Sequence, residues 1–265
     1  MTQNYDFLVI GGGSAGYAAA RTARAFTERV AVIEGGPSLG GLCILRGCMP
    51  SKTLIYSAEV LHLARKAAKF GLDIPHAAVD MAALHQRKLR TIGEFADHRR
   101  SQLTDGRFDL IRSKARFVDA RTVLLDDERT VCADRILVAT GSVVNQPPIP
   151  GLDSDGIWTS DDILDLDFLP ETVIVLGGGI VACELAQFLN RLGTRVIQIQ
   201  RSERILREHT PESAAVVMQA FRDEGIELHT GTRLQRIDPI TGGFTVHFEE
   251  DGKPVLRTAP HVFNA

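Results

Sequence analysis

Two stretches of the chain share one arrangement of apolar and polar positions. Each begins with an uninterrupted apolar run, at 7–10 and at 173–176, which leads directly into a glycine-rich turn. A helical pattern follows each turn, and a second, mostly apolar run comes after it, at 30–33 and at 195–199. Apolar runs that alternate with helices are typical of parallel strands that are buried on both faces. The pattern therefore predicts two βαβ units.

The rest of the pattern predicts helices and short strands around these units. Three further helices are predicted at 52–70, 81–103 and 211–224, and short strands at 115–118, 122–125, 135–139 and between 225 and 264. The segment 144–151 contains three prolines and one glycine, which predicts a stiff crossing between domains. The predicted fold class is α/β. It comprises two Rossmann-like domains, 1–148 and 149–265, built in three layers from a parallel sheet and a small antiparallel sheet.

The first glycine-rich turn has the spacing of a dinucleotide-binding fingerprint. Gly11 permits the tight turn, Gly13 lets the backbone approach a pyrophosphate, and Gly16 lets helix and strand pack closely. The pyrophosphate is expected on backbone N–H groups at the positive end of the helix. Glu34 ends the second strand, where a carboxylate binds a ribose 2′-hydroxyl. The candidate binding residues here are Gly11, Gly13, Ser14, Ala15, Gly16 and Glu34.

The second turn has the same spacing but a different charge at the end of its second strand. A carboxylate there would repel the 2′-phosphate of NADP by about 4 kcal/mol, for unit charges at 4 Å in an effective dielectric near 20. Neutral Gln200 removes that repulsion, and Arg201 and Arg204 can pair with a phosphate. NADP is favoured, while NAD and ordinary surface roles for the arginines stay open. The candidate residues are Gly177, Gly179, Ile180, Val181, Gln200, Arg201 and Arg204.

Composition and charge argue against several classes of function. The net charge of −3 gives no reason to expect a nucleic-acid or anionic-membrane partner. No apolar run approaches the roughly 18 residues that span a bilayer, and the start of the chain lacks the features of a signal peptide. A cytoplasmic location is therefore expected. In a reducing compartment, four cysteines in 265 residues predict catalytic or metal-binding chemistry rather than a disulfide scaffold.

Cys43 and Cys48 lie close together within the segment 40–52. Five residues of regular helix rise about 7.5 Å, whereas the Cα atoms of a disulfide are about 4.4–6.8 Å apart. A bond between them needs a distorted backbone, which Gly47 permits, and Pro50 suits the first turn of the next helix. A redox pair is preferred over a structural or metal-binding role. No further cysteine or histidine pair has the spacing of a zinc site, so no metal is predicted.

The segment 40–52, GGLCILRGCMPSK, resembles the active-site signature of the class I pyridine nucleotide–disulfide oxidoreductases. That family includes dihydrolipoamide dehydrogenase, glutathione reductase and mercuric reductase. The order of the motifs is also similar: an FAD turn, the cysteine pair, the tripeptide 139–141, then an NAD(P) turn. The resemblance implies FAD and NADP as cofactors, with NAD as the alternative. It also implies that 1–148 binds FAD and that 149–265 binds NAD(P).

The resemblance implies roles for individual residues. NAD(P)H would reduce FAD, which would pass two electrons to the Cys43–Cys48 disulfide. Cys48 would be the thiolate beside the flavin, and Cys43 the thiol that attacks the substrate. Lys52 corresponds to the lysine beside the flavin and Glu184 to the acid paired with it, although an exposed helical glutamate stays open. The other implied FAD contacts are Gly41, Ala120, Thr140 and Gly141.

The resemblance also implies a substrate class. A small-molecule disulfide or dithiol is expected, or a metal ion, since 200–202 is similar to mercuric reductases. The family's general-base histidine lies in a C-terminal interface domain, so the parent enzyme is expected to be a homodimer. This chain is expected to be a truncated, inefficient form, with an FAD domain that lacks its return segment. Two alternatives stay open: a flavin-dependent electron carrier or oxidase without disulfide chemistry, and a non-catalytic nucleotide-binding fragment.

Overall fold

The computed structural model describes residues 3–265. The chain forms two compact units, the first made of the segment up to Pro50 with Leu89–Val143, the second of Ser51–Lys88 with Val144–Ala265. The segment 51–88 therefore groups with the second unit, and the single boundary expected after residue 148 stays a prediction. Within residues 3–265, no helix is both long and apolar enough to cross a membrane.

The helices and strands follow one another in the order that the apolar pattern suggests. In chain order they are β1 (Gln3–Ile10), α1 (Ser14–Ala23), β2 (Val30–Ile33), α2 (Gly41–Arg46), α3 (Cys48–Arg65), a 3-10 turn (Ala67–Phe70), α4 (Met81–Leu103), β3 (Asp109–Ile111), β4 (Ala115–Phe117), β5 (Thr122–Leu125), β6 (Thr130–Val138), α5 (Ser160–Leu164), β7 (Thr172–Leu176), α6 (Ile180–Leu192), β8 (Arg195–Ile199), α7 (Pro211–Asp223), β9 (Glu227–His229), β10 (Arg233–Ile240), β11 (Gly243–Glu250), β12 (Lys253–Ala259) and β13 (His261–Asn264).

The predicted elements are found in the structure, which also contains short elements that the pattern did not predict. Helix α4 has the predicted bounds, and α7 ends one residue early. Helix α3 begins at Cys48 rather than at residue 52. The sequence pattern missed α2, α5 and β3, which have six, five and three residues. Elements of this length hold too few periods of the apolar pattern to stand out.

The first unit is organised around a six-stranded sheet in the order β3-β2-β1-β6-β5-β4. Strands β3, β2, β1 and β6 are parallel, and β5 and β4 add an antiparallel edge. Alternate residues of β1 face opposite layers. Leu8 joins the cluster with Val123 and Val131, while Val9 joins the cluster with Tyr17 and Ala20 of α1. Both faces of the sheet are thus covered, as the continuous apolar runs require.

The second unit has three layers. Its parallel sheet has the order β13-β7-β8-β9, and a separate antiparallel sheet has the order β10-β11-β12. In β7, Val173 and Val175 pack against the helical layer, whereas Ile174 and Leu176 pack against the antiparallel sheet with Phe248. This arrangement confirms the predicted α/β class with a parallel and a small antiparallel sheet.

Two ion pairs hold α3 alongside α6 within the second unit. Lys52 pairs with Glu184 at 2.5 Å, and Glu59 pairs with Arg191. In both pairs the partner lies 132 positions further along the chain, so the two helices run in parallel at one register. The sign of the charge is reversed between the pairs. A register that brought Lys52 to Arg191 would therefore place like charges together.

Arg191 and Glu224 form the more buried contact of this group, with side chains only 15% and 9% exposed. Two guanidinium nitrogens of Arg191 donate to the carboxylate at 2.7 and 2.8 Å. Burial alone would raise the pKa of Glu224, but the hydrogen bonds and charge of Arg191 outweigh it and hold the pKa below its ordinary value. The pair therefore stabilises the fold above the ordinary carboxyl pKa, and this stabilisation is lost on acidification through the lowered value.

We expect Arg191→Met to lower the free energy of unfolding of the second unit by about 3 kcal/mol at neutral pH, because it leaves a buried carboxylate without its cation. The difference from wild type should shrink as the pH falls and Glu224 is protonated. Urea unfolding can be followed through Trp158, the single tryptophan, which lies in this unit.

The matched control is Arg195→Met, which removes an exposed partner of Glu227 at 3.0 Å. This variant should lower the free energy of unfolding by less than about 1 kcal/mol. If the two variants lower the free energy of unfolding equally, the burial of the Arg191 pair does not increase its contribution to stability.

Candidate functional site

The first glycine-rich turn opens a cavity of about 750 Å³ in the first unit. The carboxyl ends of β1 and β2 form its floor, which is where ligands bind in open parallel sheets. Six of the residues predicted to bind FAD line it: Gly11, Gly13, Glu34, Gly41, Thr140 and Gly141. The cavity lies wholly within this unit and has a volume typical of ligand sites.

Glu34 is fixed at the wall of this cavity by the backbone. One carboxylate oxygen accepts a hydrogen bond from the N–H of Gly12 at 2.7 Å, and the other accepts from the N–H of Gly36 at 2.7 Å. A carboxylate has about four acceptor positions. Glu34 therefore keeps acceptor capacity for a ribose hydroxyl while its position is already set.

Two close backbone contacts explain why two positions of this region are occupied by glycine. A Cβ on Gly16 would lie 1.8 Å from the carbonyl oxygen of Gly11, so a side chain there would push α1 away from β1. A Cβ on Gly41 would lie 2.4 Å from the Cα of Gly13, and Gly41 also has a positive φ of 71°. By contrast, a Cβ on Gly13 would meet only Gly41, at 3.6 Å. The space in front of Gly13 is therefore left for a ligand.

The two cysteines lie on either side of a break between helices. Helix α2 ends at Arg46, Gly47 has non-helical dihedral angles of −134° and −120°, and α3 begins at Cys48. A Cβ on Gly47 would lie 3.2 Å from the Cα of Cys43, so the chain folds back onto the first cysteine here. The break occurs where the spacing argument required it. Cys43 is half-buried and Cys48 is exposed, and no disulfide joins the cysteines of residues 3–265.

Other predicted residues of the first unit lie outside the cavity lining. Ser14 and Ala15 are exposed in the first turn of α1, and Gly16 is buried beneath it. Ala120 is exposed in the turn between β4 and β5. The lining instead includes Ser113, Lys114 and Ala115. The sequence pattern missed Ser113 and Lys114 because they follow β3, a strand too short to be recognised. Ala120 is not part of this lining, and its adenosine contact stays a prediction.

Lys52 and Glu184, the residues matched to the family's lysine and acid, meet in the second unit. The Lys52 ammonium donates to both carboxylate oxygens of Glu184, at 2.5 and 2.6 Å. Their side chains are 58% and 30% exposed, so the pair is accessible to solvent. Its position follows from the parallel packing of α3 on α6.

The second glycine-rich turn opens a larger cavity, of about 950 Å³, in the second unit. Six predicted residues line it: Gly177, Gly179, Ile180, Val181, Gln200 and Arg201. The hydroxyl oxygen of Thr232, another lining residue, is buried and has no hydrogen-bond partner within residues 3–265. Leaving a buried hydroxyl unpaired costs about 1–3 kcal/mol.

Arg204 is held within its own loop, and its predicted contact with the nucleotide stays a prediction. Its guanidinium donates to the carbonyl oxygens of Arg207 and His209, at 2.9 and 3.1 Å, and it does not line the cavity. Arg204 therefore braces the loop after β8 from inside. The cations at the cavity wall are Arg201, Arg207 and Arg233. Both Arg204 and Arg207 lie in the loop after β8, and only the conformation of that loop places Arg207 in the cavity wall and Arg204 outside it. Their spacing in the sequence does not predict this difference.

We expect Gly13→Ala to leave the stability of the first unit nearly unchanged while weakening FAD binding at least tenfold, because the added methyl group points into the space for a pyrophosphate. Gly16→Ala is the contrast, since its methyl group meets the Gly11 carbonyl and should destabilise the fold by about 1–3 kcal/mol. Thermal unfolding and flavin fluorescence titration separate the two effects. Equal destabilisation by both variants would show that Gly13 has a structural role only.

Comparison with known proteins shows which family this chain belongs to. The chain is 37% identical to a mercuric reductase of Bacillus cereus over 263 residues, which cover 99% of this chain and 41% of that protein. It is 32% identical to a dihydrolipoyl dehydrogenase of Bacillus subtilis over 235 residues, 87% of this chain and 51% of that protein. The solved structure of the HOCl-induced flavoprotein disulfide reductase RclA from Escherichia coli matches with a TM-score of 0.82 and 25% identity. That match covers 98% of this chain and 56% of the other.

The chain thus spans about two fifths to one half of the length of these curated relatives. The sequence profile of one family, described as pyridine nucleotide-disulphide oxidoreductase, matches residues 5–259. That range contains both glycine-rich turns, the cysteine pair and the Lys52–Glu184 pair. This chain belongs to the pyridine nucleotide–disulphide oxidoreductase family.

Proposed function

We propose that this chain is the nucleotide-binding part of an FAD-dependent NAD(P)H:disulfide oxidoreductase, with Cys43 and Cys48 as its redox pair. One observation carries the proposal. Helix α2, which bears Cys43, supplies one wall of the cavity that the first dinucleotide turn opens, through Gly41, Leu42 and Leu45. A dinucleotide on that turn would therefore lie beside the helix of the first thiol.

The residues of the chain then have distinct tasks. FAD, when bound, supplies hydride transfer from a nicotinamide and two-electron transfer to a disulfide. Two electrons and two protons convert the Cys43–Cys48 disulfide to two thiols, and the break at Gly47 lets the chain fold back for that bond. Cys43 is half-buried and Cys48 is exposed, and the family resemblance assigns the attack on an external disulfide to Cys43. The cation of Lys52, oriented by Glu184, is placed one turn after Cys48 on the same helix.

The substrate class follows from the relatives and from thiol chemistry. The relatives named above are a mercuric reductase and a dihydrolipoyl dehydrogenase. A dithiol can reduce a disulfide through a mixed disulfide, and the reverse reaction reoxidises a dithiol. We propose a small-molecule disulfide, a dithiol or a metal ion as the substrate of the whole protein, and a homodimer as its assembly.

The absorption spectrum of the purified chain with FAD, before and after anaerobic addition of NADPH, tests the relay. We expect bound flavin and a long-wavelength thiolate-to-flavin band on reduction. Cys48→Ser should abolish this band, whereas Cys132→Ser, which removes a thiol on the distant strand β6, should preserve it. Turnover that survives Cys48→Ser would favour an electron carrier without disulfide chemistry. A chain that binds NADPH but takes up no FAD would favour a non-catalytic nucleotide-binding fragment.

We propose NADP rather than NAD as the preferred nicotinamide cofactor. Gln200 is buried at the end of β8 and carries no charge, so a 2′-phosphate meets no repulsion there. Arg201 and Arg207 lie at the same cavity wall. Arg207 is partly neutralised by Glu208 at 2.7 Å, which leaves Arg201 as the main phosphate partner.

Gln200→Glu tests this preference with a nearly isosteric change. We expect it to weaken NADP⁺ binding at least tenfold, because it places about one negative charge beside the phosphate, and to leave NAD⁺ binding equal or stronger. Isothermal titration calorimetry with both nucleotides measures the ratio. Arg201→Gln should weaken the binding of NADP⁺ and leave the binding of NAD⁺ unchanged. A wild-type chain that prefers NAD⁺, or a ratio unchanged in both variants, would contradict the preference for NADP.

A further inference from the structure

A buried histidine of the second unit lies between two carboxylates. His229 is the last residue of β9 and is only 8% exposed. Its Nδ1 lies 2.8 Å from a carboxylate oxygen of Glu250 in β11, and its Nε2 lies 3.1 Å from a carboxylate oxygen of Glu227 in β9. The ring also makes a T-shaped contact with Phe248, with 5.1 Å between the ring centroids. His229 thus joins the parallel sheet of this unit to the antiparallel sheet.

The two contacts determine the charge of the ring. An ionised carboxylate only accepts hydrogen bonds, and a neutral imidazole has a single N–H group. A neutral His229 would therefore turn a nitrogen lone pair towards one of the two carboxylates. The imidazolium has two N–H groups and can donate to both. It is the form of the ring that satisfies both contacts.

The charged groups around the ring come from four strands. Arg257 of β12 donates to Glu227 at 2.5 Å, and Arg195 of β8 donates to it at 3.0 Å. Burial alone would raise the pKa of Glu227, but the hydrogen bonds that it accepts from these arginines and from His229 lower it to about 2. The two arginines oppose a further positive charge. Glu250, however, has no ion-pair partner other than His229 within residues 3–265, so this carboxylate is the group that the imidazolium compensates.

The backbone next to this ring holds the end of β8 at the second cavity. The carbonyl oxygen of His229 accepts from the N–H of Gln200 at 2.9 Å, and the N–H of Thr232 donates to the Gln200 carbonyl oxygen at 3.2 Å. The N–H of Gly231 donates to the carbonyl oxygen of Ser202 at 2.9 Å. Gln200, Ser202 and Thr232 line the cavity. The segment that begins at His229 therefore fixes part of the cavity wall.

We propose that His229 is an imidazolium in the folded protein at neutral pH and is a positioning residue for the second cavity. With both of its N–H groups engaged, the ring fixes the end of β9, and the end of β9 fixes the backbone of Gln200. The inference rests on the proposed function, in which Gln200 meets the nucleotide. A proton on His229 and a nucleotide in the cavity then favour each other, since coupling between two sites is reciprocal.

Nitrogen NMR of the chain with isotope-labelled histidine tests the charge of the ring. The two ring nitrogens of an imidazolium have nearly equal chemical shifts, whereas those of a neutral ring differ widely. At about pH 7.5, an ordinary histidine, with a pKa of about 6.5, is about nine-tenths neutral. We expect nearly equal shifts for His229 at that pH, and the signal that is missing from the His229→Gln spectrum assigns its ring. A neutral ring there would overturn the inference.

The exchange rate of the Gln200 amide hydrogen tests the positioning role. His229→Gln removes the charge, and we expect it to speed this exchange at least about fivefold, because local opening between β8 and β9 becomes easier. The matched control is His247→Gln. His247 is also largely buried but faces a single carboxylate, that of Asp238 at 2.7 Å. Its neighbour Phe248 packs against the parallel sheet, so the His247 side chain points to the other face. The control should leave the exchange rate unchanged.

Calorimetric titration with NADP⁺ at about pH 7.5 connects the ring to the cavity. We expect His229→Gln to weaken NADP⁺ binding about fivefold and His247→Gln to leave it unchanged. If circular dichroism shows that His229→Gln perturbs the fold, Glu250→Gln takes its place, because it keeps an acceptor but removes the charge. In that variant the doubly protonated fraction of His229 should fall and the Gln200 amide should exchange faster.

An unchanged exchange rate of the Gln200 amide in His229→Gln would overturn the positioning role, and so would an unchanged affinity for NADP⁺. The NMR and exchange measurements need neither flavin nor nucleotide. A wild-type chain that binds no NADP⁺ would therefore contradict the proposed function, while the charge of the ring and the exchange rate would still decide the role of His229.

Discussion

The contact between the backbones of Gly41 and Gly13 is the constraint on which the proposed site of the first unit depends. A Cβ on residue 41 would lie 2.4 Å from the Cα of Gly13 and would therefore overlap the turn there. Because Gly41 lacks a side chain, α2 can lie directly against the start of α1 and form a wall of the cavity. The two glycines serve different purposes. Gly41 lets the protein approach itself, whereas Gly13 leaves room for a phosphate.

The second unit uses the same turn with different chemistry at its rim. In the first unit, Glu34 is held by two backbone N–H groups and presents a fixed negative charge. In the second, Gln200 packs against Gly178, where a Cβ would come within 2.9 Å of the Gln200 side chain. The same glycine-rich turn is thus combined with an acid in one cavity and an uncharged amide in the other. The electrostatics at the strand end, rather than the turn, distinguish the two nucleotides that we propose.

The α3–α6 pairing has one exposed ion pair and one that involves a more buried arginine. The Lys52–Glu184 pair is well exposed, and such pairs contribute about 0–1 kcal/mol to stability. Arg191, by contrast, is nearly buried between Glu59 and Glu224. Breaking a buried pair is far more costly than breaking an exposed one. The register that brings Lys52 to Glu184 is also set seven residues away by Glu59 and Arg191, and Glu224 anchors the Arg191 guanidinium in turn.

The α/β class, the two dinucleotide turns and the interruption between the cysteines were determined by the sequence alone. Each depends on local period or spacing: apolar runs of buried strands, glycines at fixed intervals, and a cysteine separation that a regular helix cannot bridge. The tertiary structure decided which arginines face the second cavity, because Arg204 and Arg207 differ only in how the loop after β8 turns. It also decided that Arg99 of α4 lies over the ring of Tyr17 of α1, since helix packing brings together residues that are far apart in sequence. Such contacts depend on the relative placement of whole helices, and no local pattern of side chains encodes that placement.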